Sequence, residues 1–232
     1  MRIMTGNPTM SDGRVFVRPA LPPNLKQLAA AHVREEIFSG RLKPGAKIDQ
    51  DGIAARLGIS KLPVREALIS LEHEGLVENP ARRGAYVARL TRDDILDHYR
   101  LIALVSGLAA QRAAAHLDAE EIESLALVLD ELDGTDDPRR QEELNAIFHR
   151  AINVSAGSLR LRSALRVLNQ TMPANFYEFA EGWNENAKAQ HRRILDALRT
   201  ADADAAEAAV VDHITAGGQY AVRRLDEVGF WD

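Results

Sequence analysis

Apolar positions in the first part of the chain repeat at helical spacing and are separated by capping residues. From 25 to 37 every fourth residue is apolar, which predicts a first helix with one buried face. Asp49 is a suitable N-cap for a second, short helix, which Gly58 ends. Ser60 is the expected N-cap of a third helix, whose apolar repeat runs to about Glu74. The sequence therefore predicts three helices, the last two joined by a tight turn that contains glycine.

Two short strand-like segments follow these helices. Leu76–Glu78 and Ala85–Arg89 are rich in residues that favour strands, and Asn79–Gly84 between them is a turn-rich loop. Two short helices joined by a glycine turn and followed by a hairpin are typical of a winged helix-turn-helix. We expect this fold for residues 23–90. Residues 1–22, rich in glycine and proline, are expected to form a flexible arm.

Only helical periodicity is found after residue 90. Thr91, with Asp94 three residues later, is a capping-box-like start. Helices are expected at about 92–116, 119–133, 139–155, 158–180, 184–200 and 203–226. Six helices with short connections favour a bundle, so residues 91–232 are predicted to be an all-α six-helix bundle. The fold class is therefore mainly α.

Composition and charge divide the chain at the same place. The 232 residues carry a net charge of −5, but residues 23–90 hold 11 Lys+Arg and 8 Asp+Glu, whereas residues 91–232 hold 15 and 25. This asymmetry favours two parts with different partners. The absence of cysteine excludes disulfides and thiolate metal sites. No apolar run is long enough for a membrane span and no signal-peptide core is found, so a cytoplasmic protein is expected.

Basic residues fall where a winged helix-turn-helix meets DNA. The second helix of the pair places its N-terminal residues near base edges, and hairpin-tip arginines can reach the phosphate backbone or the minor groove. The candidate DNA-binding residues are Ser60, Lys61, Arg65, Arg82, Arg83 and Gly84. Basic residues at this spacing also occur as solvated charges on small helical domains, so spacing alone leaves both interpretations open.

The stretch from Leu25 to Val87 resembles the DNA-binding domain of the GntR family of bacterial transcription regulators. The matching segments are GRLKPG at 40–45, IAARLGIS at 53–60, PVREAL at 63–68 and RGAYV at 83–87. The resemblance implies a homodimer on double-stranded, pseudo-palindromic operator DNA. One departure is Leu62-Pro63, where polar residues are common in relatives.

Three histidines of the second part fall on the apolar faces of three different predicted helices. They are His149, His191 and His213, and Asn145 stands one turn before the first of them. Neutral imidazoles are good ligands for zinc and similar divalent metals, and a bundle interior is a normal place for such a site. Each histidine can equally be a core residue paired with a carbonyl or carboxylate, and the spacing leaves both interpretations open.

Residues 91–232 look like the FCD ligand-binding domain of the FadR subfamily of GntR regulators, in its shorter VanR-like form. The matching segments include NAIFH at 145–149 and QHRRILDAL at 190–198. In metal-binding members, the residues that match Asn145, His149, His191 and His213 ligate a divalent metal. The resemblance thus implies a bound metal, with zinc as the first expectation and nickel or manganese as alternatives.

Two departures from this pattern concern the effector that the domain is expected to bind. Asn145 stands where relatives have the stronger ligand Asp, which leaves the metal charge less compensated and favours an anionic effector. Ile102 and Ser106 stand where relatives often have an Arg and a Glu, so a cationic anchor for a carboxylate is missing at 102.

These observations predict a ligand-responsive transcription regulator that is not an enzyme. Its helical domain is expected to sense a small organic acid, a carboxylate, through the metal, and to change operator affinity by a coupling of about 1–3 kcal/mol. The rival is a metal-dependent hydrolase or oxygenase that uses the three histidines, but the chain has no His-Glu-x-x-His or Gly-x-Ser-x-Gly motif. A third hypothesis is a dimerising scaffold in which the histidines are core residues.

Overall fold

The structure, a computed structural model, describes residues 24–171 and 183–232. The predicted arm at 1–22 lies outside these residues. The first domain consists of α1 (Leu25–Phe38), α2 (Gln50–Leu57), α3 (Lys61–His73), β1 (Val77–Glu78) and β2 (Tyr86–Val87). The bundle consists of α4 (Arg92–Ala114), α5 (Ala119–Gly134), α6 (Pro138–Ser155), α7 (Leu159–Asn169), α8 (Trp183–Arg199) and α9 (Ala203–Glu227). The predicted mainly α fold is confirmed.

Local capping chemistry sets the boundaries of the first helices. The Asp49 side chain accepts a hydrogen bond from the Gly52 N–H at 3.0 Å, as its predicted N-cap position requires. Gly58 ends α2 in the left-handed conformation with φ 63°. Strands β1 and β2 pair antiparallel, and Lys47 adds an isolated bridge to Tyr86. Three helices and this hairpin form the predicted winged helix-turn-helix.

The long helices α4 and α9 run against each other through the bundle. Thr91 and Asp94 form the predicted capping box at the start of α4. The two helices approach closely at Gly218, where an added Cβ would lie 2.6 Å from the Cβ of Tyr99. The absence of a side chain at Gly218 therefore leaves room for Tyr99 and lets the two helices pack closely here. None of the helices in the described ranges is long and apolar enough to cross a membrane.

Helix α7 is shorter than the sequence predicts. The apolar pattern suggested a helix over residues 158–180, but α7 ends at Asn169 with Gln170 as its C-cap. The sequence has a proline at 173. A proline inside a helix clashes with the carbonyl four residues earlier, which here is residue 169, so the helix ends where that clash would begin. The rest of the predicted helix, from 172 onward, lies outside the described residues.

The core of the first domain includes side chains from both ends of the bundle domain. Ile95 and Tyr99 of α4, Leu225 of α9 and Phe230 belong to the same buried cluster as the helices of the winged domain. Phe230 is fully buried and stacks on Phe38, with ring centroids 6.5 Å apart. The two domains therefore share this apolar cluster, whereas the rest of the bundle has buried clusters of its own.

The residues after α9 contact the winged domain through polar groups as well. We refer to residues 228–232 as the 228–232 segment. The Trp231 indole N–H donates to the Leu90 carbonyl at 2.8 Å, and the Lys43 ammonium donates to the Gly229 carbonyl. The Arg92 guanidinium lies 4.5 Å from the centroid of the Trp231 ring. These contacts hold the segment against the loop after α1 and the start of α4.

Candidate functional site

Helix α3 separates a buried face from an exposed face that includes the predicted basic residues. Val64, Leu68 and Leu71 are buried in the core of the winged domain. Lys61 and Arg65 are exposed on the other side of the helix. Since the second helix of a helix-turn-helix reads DNA with its N-terminal residues, the structure leaves both cations accessible to a duplex.

The N-terminal turn of α3 differs from its expected capping. Ser60 occupies the N-cap position with extended backbone, but its side chain makes no capping hydrogen bond. The first-turn N–H groups of α3 are therefore not satisfied by this hydroxyl, and such N–H groups can bind a phosphate. Lys61 is engaged in an exposed ion pair with Asp51, with Nζ 2.8 Å from Oδ1. Exposed pairs contribute about 0–1 kcal/mol, so DNA can displace Asp51 at small cost.

The hairpin tip presents Arg82, Arg83 and Gly84 to solvent. Arg82 has a positive φ of 63° and Gly84 a φ of 87°. A positive φ is unfavourable for arginine, whereas glycine adopts it freely. Lys47 lies beside this tip, with its Cε 3.5 Å from where a Cβ on Gly84 would lie. Lys47 was not predicted from the sequence, because its proximity to the hairpin arises from the non-local bridge to Tyr86.

The structure brings together three of the four predicted metal ligands in the bundle interior. The Nε2 atom of His149 lies 3.2 Å from Nε2 of His213 and 3.3 Å from Nε2 of His191. One ligand nitrogen from each histidine lies within 4.8 Å of the other two. The fourth predicted ligand, Asn145, is half-buried on α6 one turn before His149. Helices α6, α8 and α9 thus each contribute one imidazole to a single centre, which we call the three-histidine centre.

The imidazoles of this centre are held in their neutral form. Burial lowers the pKa of His149 to about 4 and that of His213 to about 3. The pKa of His191 is also lowered well below its usual value, by burial and then by the other two histidines. Neutral imidazoles are the protonation state that binds a divalent metal.

Hydrogen bonding orients one of these rings. Nδ1 of His213 lies 3.0 Å from Oε1 of Gln190, so the Nδ1–H donates and the lone pair of Nε2 is directed at the other two histidines. Nδ1 of His191 is buried and has no hydrogen-bond partner among the described residues. Three converging nitrogens cannot all be satisfied by protons shared among themselves, but one cation would satisfy all three. The donor set therefore fits a divalent metal.

The surroundings of the centre are apolar on one side. The fully buried Phe148 ring lies 5.5 Å from the His149 ring and 5.3 Å from the His191 ring, centroid to centroid. Ile102 and Ser106 are both buried on α4, so the two positions at which the sequence departs from its relatives do face the bundle interior. No aspartate or glutamate belongs to the cluster within the described parts of the chain.

A winged helix-turn-helix joined to a helical bundle defines the class of two-domain, DNA-binding transcription regulators. Residues 25–87 match the gntR family of bacterial regulatory proteins, and residues 97–216 match the FCD domain. The chain belongs to the GntR family and carries an FCD domain.

Similar proteins agree with this assignment. An HTH-type transcriptional regulator of Mycobacterium tuberculosis (strain ATCC 25618 / H37Rv) is 30% identical over 184 residues, which cover 76% of this chain and 75% of the relative. A probable D-xylose utilization operon transcriptional repressor of Paenarthrobacter nicotinovorans is 31% identical over 194 residues, which cover 81% and 86%. These relatives and the family confirm that the chain is a transcription regulator and not an enzyme.

Two solved structures have the same fold. A GntR family regulator from Pseudomonas syringae pv. tomato aligns with a TM-score of 0.54 and 25% identity, over 89% of each chain. E. coli McbR/YncC aligns with a TM-score of 0.63 over 87% of this chain and 99% of that chain, at 19% identity. The arrangement of a winged domain before a helical bundle is therefore that of known regulators.

Proposed function

We propose that this regulator senses a small organic acid through a divalent metal held by His149, His191 and His213, with Asn145 as a fourth ligand. Zinc is the first candidate, with nickel or manganese as alternatives. The protein acts in the cytoplasm as a homodimer on operator DNA, and the bound acid changes its affinity for that DNA. The observation that carries the proposal is the convergence of three neutral imidazoles from three helices on one point.

The chemistry of the ligand set favours an anionic effector. Three neutral imidazoles and an amide oxygen compensate none of the charge of a divalent ion, and the described residues place no carboxylate in the cluster. The metal therefore keeps its positive charge inside an apolar bundle, where an anion gains the most from binding it. Because Ile102 offers no cationic group, the metal itself is the group that attracts the carboxylate.

The DNA contacts are assigned to α3 and the hairpin tip. Ser60, Lys61 and Arg65 contact the major groove, and Arg82 and Arg83 contact phosphates, with Gly84 allowing close approach. This assignment is supported by the exposure of all six residues on the winged domain.

A leucine stripe on α4 supports the homodimer. Leu101, Leu104 and Leu108 are 53%, 62% and 38% exposed and recur at helical spacing on one side of the helix. Asp97 lies near one end of this stripe and Arg112 near the other, so an antiparallel second copy brings opposite charges together. Two copies are also what a pseudo-palindromic operator requires.

Helix α9 connects the three-histidine centre to the winged domain. It contains His213, and it leads directly into the 228–232 segment, whose Phe230 lies in the core of the winged domain. A ligand that shifts α9 at the three-histidine centre therefore shifts part of the core on which α3 rests. Coupling of about 1–3 kcal/mol is the usual size of such an effect.

Metal analysis combined with a thermal-shift screen tests the proposal. Purified full-length chain should contain about one divalent ion, and chelation should lower its melting temperature because the ion binds the native state. A panel of mono-, di- and tricarboxylates should raise the melting temperature of metal-loaded protein and not of chelated protein. A carboxylate that stabilises both forms equally, and releases DNA from both, would contradict the metal-dependent mechanism.

Replacement of Asn145 by Asp tests the fourth ligand. A carboxylate adds negative charge to the ligand set, so the variant should hold the ion more tightly and bind the carboxylate effector more weakly. Competition with a metal-sensitive dye measures the first effect and the thermal-shift titration the second. Unchanged affinity for the ion would remove Asn145 from the ligand set.

A further inference from the structure

An apolar side chain occupies the exposed N-terminal turn of α3, the helix assigned to DNA in the proposed function. Leu62 is the second residue of α3 and is 64% exposed. It lies between Lys61 and Arg65, which are both exposed. An apolar group at this place leaves a hydrocarbon surface in water in the DNA-free protein, and within the described parts of the chain nothing buries it.

The edges of base pairs offer one apolar group to such a side chain. A leucine cannot form a hydrogen bond, and the major-groove edges of the four base pairs otherwise consist of hydrogen-bond donors and acceptors. The exception is the C5-methyl group of thymine. Contact between this methyl group and an apolar side chain removes both from water and is favourable.

We propose that Leu62 is a specificity-determining residue that recognises the C5-methyl group of a thymine in the operator half-site. This proposal rests on the DNA-binding role of α3. It assigns to Leu62 the recognition of an apolar group and to Arg65 the recognition of a hydrogen-bonding base edge. An apolar contact and a hydrogen-bonding contact from one helix face then define the half-site.

Helical geometry places the two contacts close together on the DNA. Residues 62 and 65 are three apart, so they lie about one turn from each other and about 4.5 Å apart along the axis. One base step is about 3.4 Å. The thymine should therefore lie within one or two base steps of the base that Arg65 contacts. Lys61, by contrast, is drawn toward Asp51 of α2.

Ile69 provides a matched control on the same helix. It is 53% exposed and apolar, and it lies two turns beyond Leu62 on nearly the same face, about 10.5 Å along the axis. Since such helices read bases with their N-terminal residues, Ile69 should not contact the thymine. Both side chains are exposed, so neither Leu62→Ala nor Ile69→Ala removes core packing.

The test removes one methyl group from the DNA and one side chain from the protein. The wild-type full chain selects its sites from a pool of randomised duplexes, and each thymine of the selected half-site is then replaced by deoxyuridine, which lacks only the methyl group. At one position the replacement should weaken wild-type binding about fourfold, the ratio that corresponds to about 0.8 kcal/mol for one buried methyl-sized group. Leu62→Ala should bind both duplexes equally, whereas Ile69→Ala should keep the fourfold difference.

A further duplex separates the methyl group from the rest of the base. Replacement of the thymine·adenine pair by cytosine·guanine should weaken binding, and 5-methylcytosine at the same place should recover about fourfold relative to cytosine. Arg65→Ala should lose its preference at a base within two steps of this position.

Three results would overturn the proposal while leaving DNA binding intact. These are a selected half-site with no thymine near the base that Arg65 reads, a wild-type protein that binds every deoxyuridine duplex as tightly as the thymine duplex, and a Leu62→Ala variant that still discriminates between the two. A protein that selects no sequence from the pool would instead contradict the assignment of α3 to DNA, and with it this proposal.

Discussion

The surface proposed to bind DNA and the three-histidine centre differ in how far their ionisable groups are exposed to solvent. On the surface, the side chains of Arg65, Arg82 and Arg83 are exposed. In the centre, His191 and His213 are almost fully buried and their pKa values are lowered, so that they are neutral near pH 7. The first region therefore suits an anionic polymer that arrives from solvent. The second suits a small cation that is enclosed by protein.

This difference determines how each region responds to substitution. An exposed arginine contributes little to packing, so its loss should affect DNA binding and leave folding unchanged. A buried imidazole contributes to the core and, under the proposed function, to a metal site as well, and metal binding to the native state is linked to folding. Substitutions in the centre should therefore change stability and ligand binding together.

The largest expected effect is the loss of the metal from His191→Ala. Removal of one of three imidazoles should lower the affinity for zinc by more than about a hundredfold, since loss of a mere supporting group already costs about 10–100-fold. The purified variant should contain no stoichiometric metal, and a chelator should no longer change its melting temperature. His73→Ala, at an exposed histidine at the end of α3, is the control and should retain both properties. A His191→Ala protein with a full complement of metal would show that the centre is not the site.

Arg65→Ala should weaken operator binding about 5–150-fold without a change in melting temperature. The expected loss corresponds to about 1–3 kcal/mol for a side chain that contacts a base edge. Fluorescence anisotropy with a selected duplex measures it. Arg199→Ala, an exposed arginine on α8 whose guanidinium bonds Asp196 at 3.0 Å, should bind DNA as the wild type does. If the two variants bound DNA equally well, Arg65 would be a solvated charge without a role in DNA recognition.

Metal-free protein should lose stability as the pH falls below about 6.5. The histidines of the centre have lowered pKa values in the folded state, about 4 for His149 and about 3 for His213, so the unfolded chain takes up protons first. The free energy of unfolding is highest above the unfolded pKa of about 6.5. It falls toward pH 4 by about 1.4 kcal/mol per pH unit for each imidazole that only the unfolded chain protonates. Urea denaturation at several pH values measures the slope. A slope that is the same in wild type and in His191→Ala would contradict this source of acid sensitivity.

The double variant Arg82→Ala with Arg83→Ala should show the smallest and least selective effect. Arginines at a hairpin tip mostly bind phosphates, so affinity should fall for specific and nonspecific DNA alike, and the salt dependence of binding should decrease by about two phosphate contacts. Arg160→Ala with Arg162→Ala, two exposed arginines on α7, serves as the matched control for lost charge. A changed base preference at one operator position would mean that the hairpin reads sequence.

Local interactions account for what the sequence predicted well. The Asp49 cap and the Thr91–Asp94 capping box depend on residues three apart, so their chemistry is visible in the chain itself. The convergence of His149, His191 and His213 was also predictable, because each residue lies on the apolar face of its own helix and a bundle directs such faces to one interior.

Non-local packing accounts for what the sequence did not predict. The last residues were treated as an end of the helical domain, yet Phe230 lies in the core of the winged domain. Nothing in the sequence near residue 230 indicates that Phe38 is its partner. The ion pair between Arg34 and Glu74, which joins α1 to the residue after α3 at 2.7 Å, was missed for the same reason.

The position of Phe230 has a consequence for the synthesis of the protein. Residues 24–90 leave the ribosome before the bundle does, but their core includes a ring that is added 140 residues after residue 90. At about 5–20 residues per second, the nascent winged domain waits roughly 7–28 s for that ring. During this interval the face of Phe38 that later stacks on Phe230 is uncovered. The nascent winged domain is thus incompletely packed until residue 230 has been translated and the 228–232 segment has folded back onto it.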